Sequence, residues 1–467
     1  MKICLFAEGS YPHIQGGVSS WINNLIKACP EHEFIIYAIG ADSSKRGDYK
    51  YVLPDNVESV IEVFLDDLVL SNKKKGARYR LSDIQKEAIT NLIFGENIQW
   101  NNVFDLFSKK PFSVASEFFM SKDFFDIIRD LYEKEYPYTP FTEFIWSMRS
   151  MYLTLFFLLL NDMPKADIYH SVSTGYAGVI ASYSKHLYDK PLILSEHGIY
   201  TREREEEIIK AGWVKSYYKD IWIKYFYNFS KCAYERADIV TSLFSVNREL
   251  QVELGCPEEK IRIIPNGVHM NRYVDLPQKE NHLVVNVGAI VRVVPIKDIK
   301  TMLQAFKIVH DSNPNTVFHI MGPVEEDEEY YNECLEMKKY LELERVHFTG
   351  MINIMDYIGK MDVLVLTSIS EGQPLAVMEG MAANKPHVTT NVGDCHGLLY
   401  GVDDHYGQAG YVEYVMDSEG IARSIAKLVN DENLRREMGQ NGFNRVSNKY
   451  RFEDYIKEYK DMYQSFK

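Results

Sequence analysis

The chain has 467 residues and a formal net charge of −14, with 46% hydrophobic and 25% charged residues. This length allows two domains with sizeable cores, and the composition is that of a soluble globular protein. The negative charge argues against nucleic acid or an anionic membrane surface as the main partner. The six scattered cysteines show neither zinc spacing nor a Cys-x-x-Cys pair, so we interpret them as free thiols in a reducing cytoplasm.

The N-terminal residues enter a strand pattern directly, so the sequence predicts no signal peptide. The longest mainly apolar run, 151–160, is about half of the roughly 20 residues that a membrane span requires. We therefore expect a cytoplasmic protein.

In the first part of the chain, strand and helix patterns alternate as in a doubly wound parallel sheet. Residues 3–9 predict a buried strand, a loop with Gly16 and Gly17 follows, and apolar residues at helical spacing predict a helix over 18–26. A polar, highly charged segment covers 201–210. Further strands are expected at 34–39, 168–172, 191–195, 237–243 and 261–264, and helices at 176–187, 213–235 and 245–254.

Residues 56–165 interrupt this alternation and lack strand patterns after about residue 64. They predict a helical insertion over about 65–160. Its aromatic residues are expected in a core, with an acceptor-binding or partner-binding surface as the alternative. The aromatic residues concerned are Trp100, Phe104, Phe107, Phe112, Phe118, Phe119, Phe124 and Phe125.

A Pro-Asn-Gly turn at 265–267 and a polar stretch to about 281 predict an interdomain linker, after which the alternation resumes. Strands are expected at 283–287, 316–321, 346–349, 361–367 and 387–390, and helices at 298–311, 328–341 and 418–430. We predict two Rossmann-like domains, 1–275 and 282–449, that face a cleft with ligands at the carboxyl ends of the strands. A last amphipathic helix, 450–467, is expected to pack back on the first domain.

Two carboxylates, Glu371 and Glu379, stand eight residues apart at a predicted strand–loop–helix junction. Gly372 permits a tight turn, and Pro374 suits the first position of a helix. The free N–H groups at this helix start form a seat for an anion, and the carboxylates offer acceptors to hydroxyl groups. Such a site suits a nucleotide-sugar, although the same spacing also occurs by chance on solvated helix faces.

Several other residues sit where a phosphate or sugar would bind. Arg292 and Lys297 follow the first strand of the second half, where two cations can neutralise a diphosphate leaving group without a metal. The chain contains no Asp-x-Asp, the metal-carrying motif of the other common transferase architecture. Gly16 and Gly17 let backbone N–H groups approach a phosphate or sugar closely. His197, at the carboxyl end of a strand, is expected to face the cleft.

Two weaker signals accompany these residues. Glu196, beside His197, is an alternative acid or base. Gly322 and Gly350 end strands of the second half, where the backbone can approach a nucleotide base, and Met351 is assigned to the same place.

Together, these motifs resemble in order and spacing the family 4 glycosyltransferases of GT-B fold. Longer runs resemble the PelF group of bacterial exopolysaccharide glycosyltransferases. Those runs are 8–21, 173–178, 195–204, 293–300 and 367–375.

The resemblance implies a retaining enzyme that moves a sugar from a UDP-sugar to a growing exopolysaccharide of the Pel type, with no metal or other cofactor. Arg292 and Lys297 would hold the diphosphate, Glu379 the ribose hydroxyls, and Glu371 and His197 the donor sugar. Gly16 and Gly17 would close over the diphosphate. The backbone near the sugar would be that of Gly372, Gln373, Pro374 and Leu375. The enzyme would be peripheral at the inner face of the cell membrane, through proteins of a polysaccharide export complex.

Three alternatives stay open from the sequence. A glycogen- or starch-type glucosyltransferase that uses ADP-glucose has the same fold and the same pair of glutamates. A non-catalytic subunit of an export complex would keep the fold but have a degenerate site. The presence of Glu371, Glu379, Arg292 and Lys297 argues against this alternative. A sugar-nucleotide epimerase of related architecture would place its acid and base residues differently.

Overall fold

The computed structural model describes residues 1–68 and 80–467, so residues 69–79 of the predicted insertion lie outside the described residues. The chain divides into two compact units. The first comprises Met1–Ile263 with Lys460–Lys467, and the second comprises Ile264–Tyr459.

The first unit is built on a seven-stranded parallel sheet in the order β3-β2-β1-β4-β5-β6-β7. Its central strands are buried along almost their whole length, which is why they read in the sequence as short apolar runs. The strands are β1 (Lys2–Glu8), β2 (Glu33–Gly40), β3 (Val57–Phe64), β4 (Ile168–Ser171), β5 (Leu192–Ser195), β6 (Ile239–Ser242) and β7 (Ile261–Ile263).

Helices flank this sheet, and those between β3 and β4 form the insertion. Over the described residues, the helices of the first unit are α1 (Gly17–Ala28), α2 (Asp83–Phe94), α3 (Trp100–Ser108), α4 (Ser116–Phe119), α5 (Lys122–Glu135), α6 (Phe141–Leu160), α7 (Tyr176–Tyr188), α8 (Tyr200–Lys210), α9 (Lys219–Arg236) and α10 (Ser245–Glu253). Of these, α2 to α6 belong to the insertion.

The insertion has an aromatic core. The Phe156 ring lies 4.8 Å from the Phe107 ring and 5.1 Å from the Phe118 ring, measured between centroids. Of the eight aromatic residues predicted to be core, all are buried except Phe125, which is 45% exposed. The core interpretation is therefore confirmed for most of them.

Helix α6 is long and apolar enough, by length and composition alone, to cross a membrane. Half of its most apolar stretch is buried inside the first unit. The sequence prediction counted only the C-terminal half of this helix, because charged and polar residues interrupt its first turns.

The second unit contains a six-stranded parallel sheet in the order β10-β9-β8-β11-β12-β13. Its strands are β8 (Val285–Ile290), β9 (Thr316–Met321), β10 (Val346–Phe348), β11 (Val363–Leu366), β12 (His387–Thr390) and β13 (Gly410–Glu413). Its helices are α11 (Ile299–Ser312), α12 (Glu328–Tyr340), α13 (Leu375–Ala382), α14 (Cys395–Tyr400), α15 (Ser418–Asn430) and α16 (Glu432–Lys449). The last helix, α17 (Phe452–Gln464), begins in the second unit and ends in the first.

Several elements differ from the sequence prediction. The edge strands β3 and β13 were missed because an edge strand is partly exposed and lacks a continuous apolar run. The charged segment 201–210 lies in helix α8, and the helix predicted from residue 213 begins at Lys219. Helix α13 begins at Leu375, so Pro374 is its N-cap and not its first residue.

Helices α14 and α16 were also missed. Helix α16 buries Gly439, Gly442 and Arg445 beside two apolar side chains, so its buried face does not appear as an apolar stripe. All six cysteines are free and buried, which confirms that they form no disulfide bond.

Candidate functional site

Several of the predicted site residues lie where the strand order of a sheet reverses. In the first unit this point lies between β1 and β4, and in the second it lies between β8 and β11. Loops that leave adjacent strands there diverge to opposite faces of the sheet and open a crevice at the carboxyl ends. Gly16 and Gly17 follow β1, Arg292 and Lys297 follow β8, and Glu371 follows β11.

In the second unit, the structure brings Lys297 and Glu371 together. The Lys297 ammonium contacts the Glu371 carboxylate, and the Ser368 hydroxyl donates a hydrogen bond to the same carboxylate oxygen at 2.6 Å. The two charged side chains are only 16% and 14% exposed. The loops that carry them are joined, since the Thr367 hydroxyl donates to the Lys297 carbonyl oxygen at 2.9 Å and the Ile369 N–H to the Ile296 carbonyl oxygen at 2.9 Å.

Arg292 has a different partner from Lys297. Its guanidinium donates to the Glu326 carboxylate at 2.7 Å, and the two side chains are 46% and 42% exposed. An ion pair this exposed contributes little to stability, so Arg292 is free to exchange Glu326 for another anion at small cost. Glu326 carries no motif that the sequence analysis could have recognised.

Gly322 and Gly350 are neighbours at the ends of β9 and β10. The Gly322 N–H donates to the Gly350 carbonyl oxygen at 3.2 Å. Gly322 has a φ of +148°, and a Cβ there would lie 2.1 Å from the Val291 carbonyl oxygen, so this position requires glycine. Met351 is 68% exposed beside them. A Cβ at Gly350 would meet no atom within 4 Å, so the backbone can be approached there, whereas the Gly322 backbone packs against Val291.

Glu379 lies in the second turn of α13 and is partly buried. Burial raises the pKa of its carboxyl, while the Arg272 guanidinium and a hydrogen bond with Tyr273 act in the opposite direction. Both partners lie in a short 3₁₀ helix, Met270–Tyr273. The sequence analysis assigned that segment to a polar linker, and nothing in the pattern there pointed to Glu379.

The loop between Glu371 and α13 is fixed by a buried side chain. Gln373 is 5% exposed, and its amide is hydrogen-bonded to Asn266 and Asp394 within the second unit. Its side chain is therefore held inside the unit, and the loop can offer a ligand the backbone of Gly372 and the exposed side of Leu375.

In the first unit, Gly16, Gly17 and His197 line one cavity of about 300 Å³, together with Glu8 and Arg204. A Cβ at Gly16 or Gly17 would meet no atom within 4 Å, so packing does not require glycine there. The space in front of both residues is open, as close approach of a ligand to the backbone needs.

His197 packs edge-on against Trp21, with 4.5 Å between the ring centroids. Its Nε2 is buried and has no hydrogen-bond partner among the described residues. Burial lowers the pKa of His197 to about 4, so the ring is neutral at pH 7. A neutral imidazole with a free nitrogen can exchange a hydrogen bond with a hydroxyl group without carrying charge.

Glu196 has a structural role. Its side chain is 3% exposed and accepts hydrogen bonds from the Tyr234 hydroxyl at 2.6 Å and from the Gln251 amide at 3.0 Å. The Thr174 hydroxyl and the Tyr200 N–H donate to its other oxygen. These four donors occupy the carboxylate, so we do not retain Glu196 as an acid or base.

Glu8 and Arg204 were not singled out by the sequence analysis, although both lie in the runs that carry the resemblance. Glu8 ends β1 and accepts hydrogen bonds from the Tyr200 hydroxyl at 3.0 Å and the Ala177 N–H at 3.1 Å. Arg204 lies 3.7 Å from the Glu8 carboxylate and 5.1 Å above the centre of the Tyr200 ring. Burial raises the pKa of Glu8, and Arg204 opposes that shift.

Among residues 1–68 and 80–467, no group of three or more His, Cys, Asp or Glu side chains is arranged to hold a metal ion. The cationic groups at the second switch point are Lys297 and Arg292, each held by a carboxylate.

Two family models match the chain. Residues 1–259 match the domain of unknown function DUF3492, and residues 273–445 match the glycosyl transferases group 1. The chain belongs to the DUF3492 family, and its residues 273–445 form a glycosyl transferases group 1 domain.

Curated relatives and solved structures agree with this assignment. The capsular polysaccharide biosynthesis glycosyltransferase CapM of Staphylococcus aureus is 26% identical over 328 residues, which cover 66% of this chain and 79% of CapM. The UDP-Gal:alpha-D-GlcNAc-diphosphoundecaprenol alpha-1,3-galactosyltransferase of Escherichia coli is 27% identical over 338 residues, 68% of this chain and 80% of that protein.

The crystal structure of Anabaena HepE in complex with UDP aligns with a TM-score of 0.63 at 14% identity and covers 100% of both chains. Sucrose-phosphate synthase from Thermosynechococcus elongatus aligns with a TM-score of 0.62 at 14% identity, covering 99% of this chain and 98% of that one. At these identities the likeness shows the fold, which is GT-B, and confirms the predicted pair of Rossmann-like domains.

Proposed function

We propose that this chain is a retaining hexosyltransferase that moves a sugar from a UDP-sugar donor to a growing exopolysaccharide of the Pel type. The observation that carries the proposal is the largely buried Lys297–Glu371 pair at the switch point of the second sheet. It places a cation for a phosphate beside a carboxylate for sugar hydroxyls. The relative named for UDP-Gal and the UDP complex of HepE support a UDP-linked donor, and the polysaccharide name of CapM supports the acceptor class.

In this proposal the donor lies along the second unit. Lys297 and Arg292 exchange their carboxylate partners for the diphosphate, which neutralises the charge that develops on the leaving group. Glu371, released from Lys297, accepts hydrogen bonds from the donor sugar, and Glu379 accepts them from the ribose. Gly322 and Gly350 border the nucleotide base.

The configuration at the anomeric carbon of the donor sugar is retained if the acceptor attacks that carbon on the face from which the leaving group departs. The bond between the anomeric carbon and the phosphate oxygen breaks, and the acceptor oxygen bonds to the same face of that carbon. A non-bridging oxygen of the departing diphosphate accepts the acceptor's proton. No side chain then acts as nucleophile, and the protein contributes position and charge stabilisation. We assign His197, neutral and with a free Nε2, to a donor-sugar hydroxyl.

Thermal unfolding with nucleotides tests the donor assignment. UDP at 100 times its dissociation constant is expected to raise the free energy of unfolding by about 2.7 kcal/mol. ADP and GDP at the same concentration should have much smaller effects. Glu379→Gln should weaken the UDP effect because a ribose contact loses its charge, whereas Glu336→Gln, at an exposed position of α12, should not. Stabilisation by ADP instead would favour the ADP-glucose enzyme, and no response to any nucleotide would contradict the proposal.

We also propose that the enzyme is cytoplasmic and is held at the membrane by export-complex proteins that bind the insertion. Met120 and Trp146 are 74% and 59% exposed. The Arg149 guanidinium contacts the Met120 sulfur and lies over the Trp146 ring. Replacing both apolar residues by serine is expected to release the protein from the membrane fraction of its own cells. Ile84→Ser, at a 68% exposed position of α2, is the control. Unchanged fractionation of the double variant would refute this docking surface.

A further inference from the structure

The side chain of Gln373 connects the loop that carries Glu371 to a distant part of the chain. Its Oε1 accepts a hydrogen bond from the Asn266 N–H at 2.7 Å, and its Nε2 donates to an Asp394 carboxylate oxygen at 2.7 Å. The Asn266 side-chain amide also donates to the Gln373 carbonyl oxygen at 3.4 Å. All of these groups belong to the second unit, and the amide of Gln373 is paired at both ends.

Asn266 is the third residue of the second unit, directly after the chain leaves the first unit at Ile263. The turn that contains it is closely packed, since a Cβ at Gly267 would lie 2.6 Å from the Phe452 Cα. The Val268 N–H donates to the Tyr450 carbonyl oxygen at 2.8 Å, and the Phe452 N–H donates back to the Val268 carbonyl oxygen at 3.1 Å. The two chain segments that lead to the first unit are thus joined beside Asn266.

Asp394 holds the other side of the loop. Its N–H donates to the Gly372 carbonyl oxygen at 2.9 Å. The preceding Gly393 has a φ of +52°, and a Cβ there would lie 1.9 Å from that same carbonyl oxygen, so the two backbone segments are in direct contact. Glu371 is the next residue back along the loop, and any movement of Gly372 moves its carboxylate.

We propose that Gln373 is a positioning residue that fixes the Glu371 loop to the linker turn at Asn266, so that the donor-sugar contact of Glu371 is set by the linker. This inference rests on the proposed function of the site. The position needs an amide, because one end must accept from a backbone N–H while the other donates to a carboxylate.

The polarity of this chain of hydrogen bonds makes the inference testable. Burial raises the pKa of Asp394 to about 6, so the carboxyl is ionised at pH 7.5. Gln373→Glu would place two carboxylates in contact, and like charges so close repel each other. Asp394→Asn alone keeps an acceptor for Gln373. In the double variant the asparagine amide donates to the new glutamate, which still accepts from the Asn266 N–H, and every bond is restored with one polarity reversed.

The experiment measures kcat and the donor KM at pH 7.5 for the full-length chain, from UDP release with UDP-glucose and UDP-N-acetylhexosamines as donors. Q373E is expected to lower kcat by about 10- to 100-fold through misplacement of Glu371, with KM changed by less than about threefold because the diphosphate contacts remain. D394N should lower kcat less than Q373E does. The double variant Q373E/D394N should have a kcat within about threefold of the wild-type value. Gln440→Glu, on the exposed face of α16, is the matched control.

If Gln373 had only a structural role, Q373E would lower the unfolding temperature, but D394N would not restore kcat, and kcat would not fall at a nearly constant KM. Wild-type kcat in Q373E, or a double variant as slow as Q373E, would overturn the inference. If Q373E does not fold, Gln373→Met supplies the neutral case, with the same fall in kcat and no rescue by D394N. A wild-type protein that neither binds UDP nor releases it from any donor would refute the proposed function instead.

Discussion

Replacing Lys297 by alanine is expected to reduce kcat/KM for the UDP-sugar by about 10²- to 10³-fold, the usual loss when one stabilising donor is removed from developing charge. Two effects act in the same direction. The cation that we propose for the diphosphate is lost, and the Glu371 carboxylate, 14% exposed, loses its ammonium partner. An unpaired and largely buried carboxylate then repels the incoming phosphates. Steady-state kinetics with UDP release measures the change.

Lys300→Ala is the matched control, because Lys300 lies three residues further along and pairs with Glu333 at 2.7 Å on the surface. Its removal should leave kcat/KM nearly unchanged. Adding Glu371→Gln to Lys297→Ala removes the unpaired charge, so UDP binding should recover in part while sugar transfer stays low. Equal kinetics for the two single lysine variants would contradict the role given to Lys297.

Much of the fold follows from short-range patterns. Strands buried on both faces of a parallel sheet appear as apolar runs, and the alternation with helices gives the two sheets. The junction at Glu371 was recognisable because a strand, a glycine turn, a proline and a helix succeed each other within a few residues. The contact between Lys297 and Glu371 was not predicted, because it depends on the adjacency of β8 and β11, which only the structure shows.

The partners of these residues could not be predicted, because tertiary packing decides them. Gln373 and Asn266 are 107 residues apart in the chain, and neither has a composition that indicates a bond between them. The placement of Glu379 beside Arg272 depends equally on the path of the linker. Glu196 looked like an acid or base from its position at a strand end, and only the four donors around it reveal a structural carboxylate.

Arg445→Met is expected to destabilise the second unit by about 3–5 kcal/mol, the cost of breaking a buried ion pair from one side. The Arg445 side chain is fully buried and uses all five of its N–H donors. Two go to the carboxylate oxygens of Asp404, at 2.9 and 3.0 Å. Three go to the carbonyl oxygens of Leu398, Leu399 and Gly407. Methionine fills similar space but supplies none of these five donors.

Urea-induced unfolding measures the loss, and Arg436→Met is its control on the same helix. Arg436 is 75% exposed and pairs with Glu432 one turn away, so its replacement should change the free energy of unfolding by less than about 0.5 kcal/mol. A similar unfolding midpoint for both variants would show that the buried pair contributes no net stability.

The pH dependence of stability separates the ion pair from simple packing. Although burial acts in the opposite direction, the hydrogen bonds and charge of Arg445 lower the pKa of Asp404 to about 2, below its ordinary value of 3.8. A carboxyl with a depressed pKa in the folded state stabilises the protein above its unfolded pKa, and this stability is lost as the pH falls through the folded pKa. Wild type should therefore lose this contribution between about pH 4 and pH 2, and Arg445→Met should lose much less over the same interval. Parallel curves for the two proteins would assign the effect of Arg445 to packing and to its three carbonyl contacts.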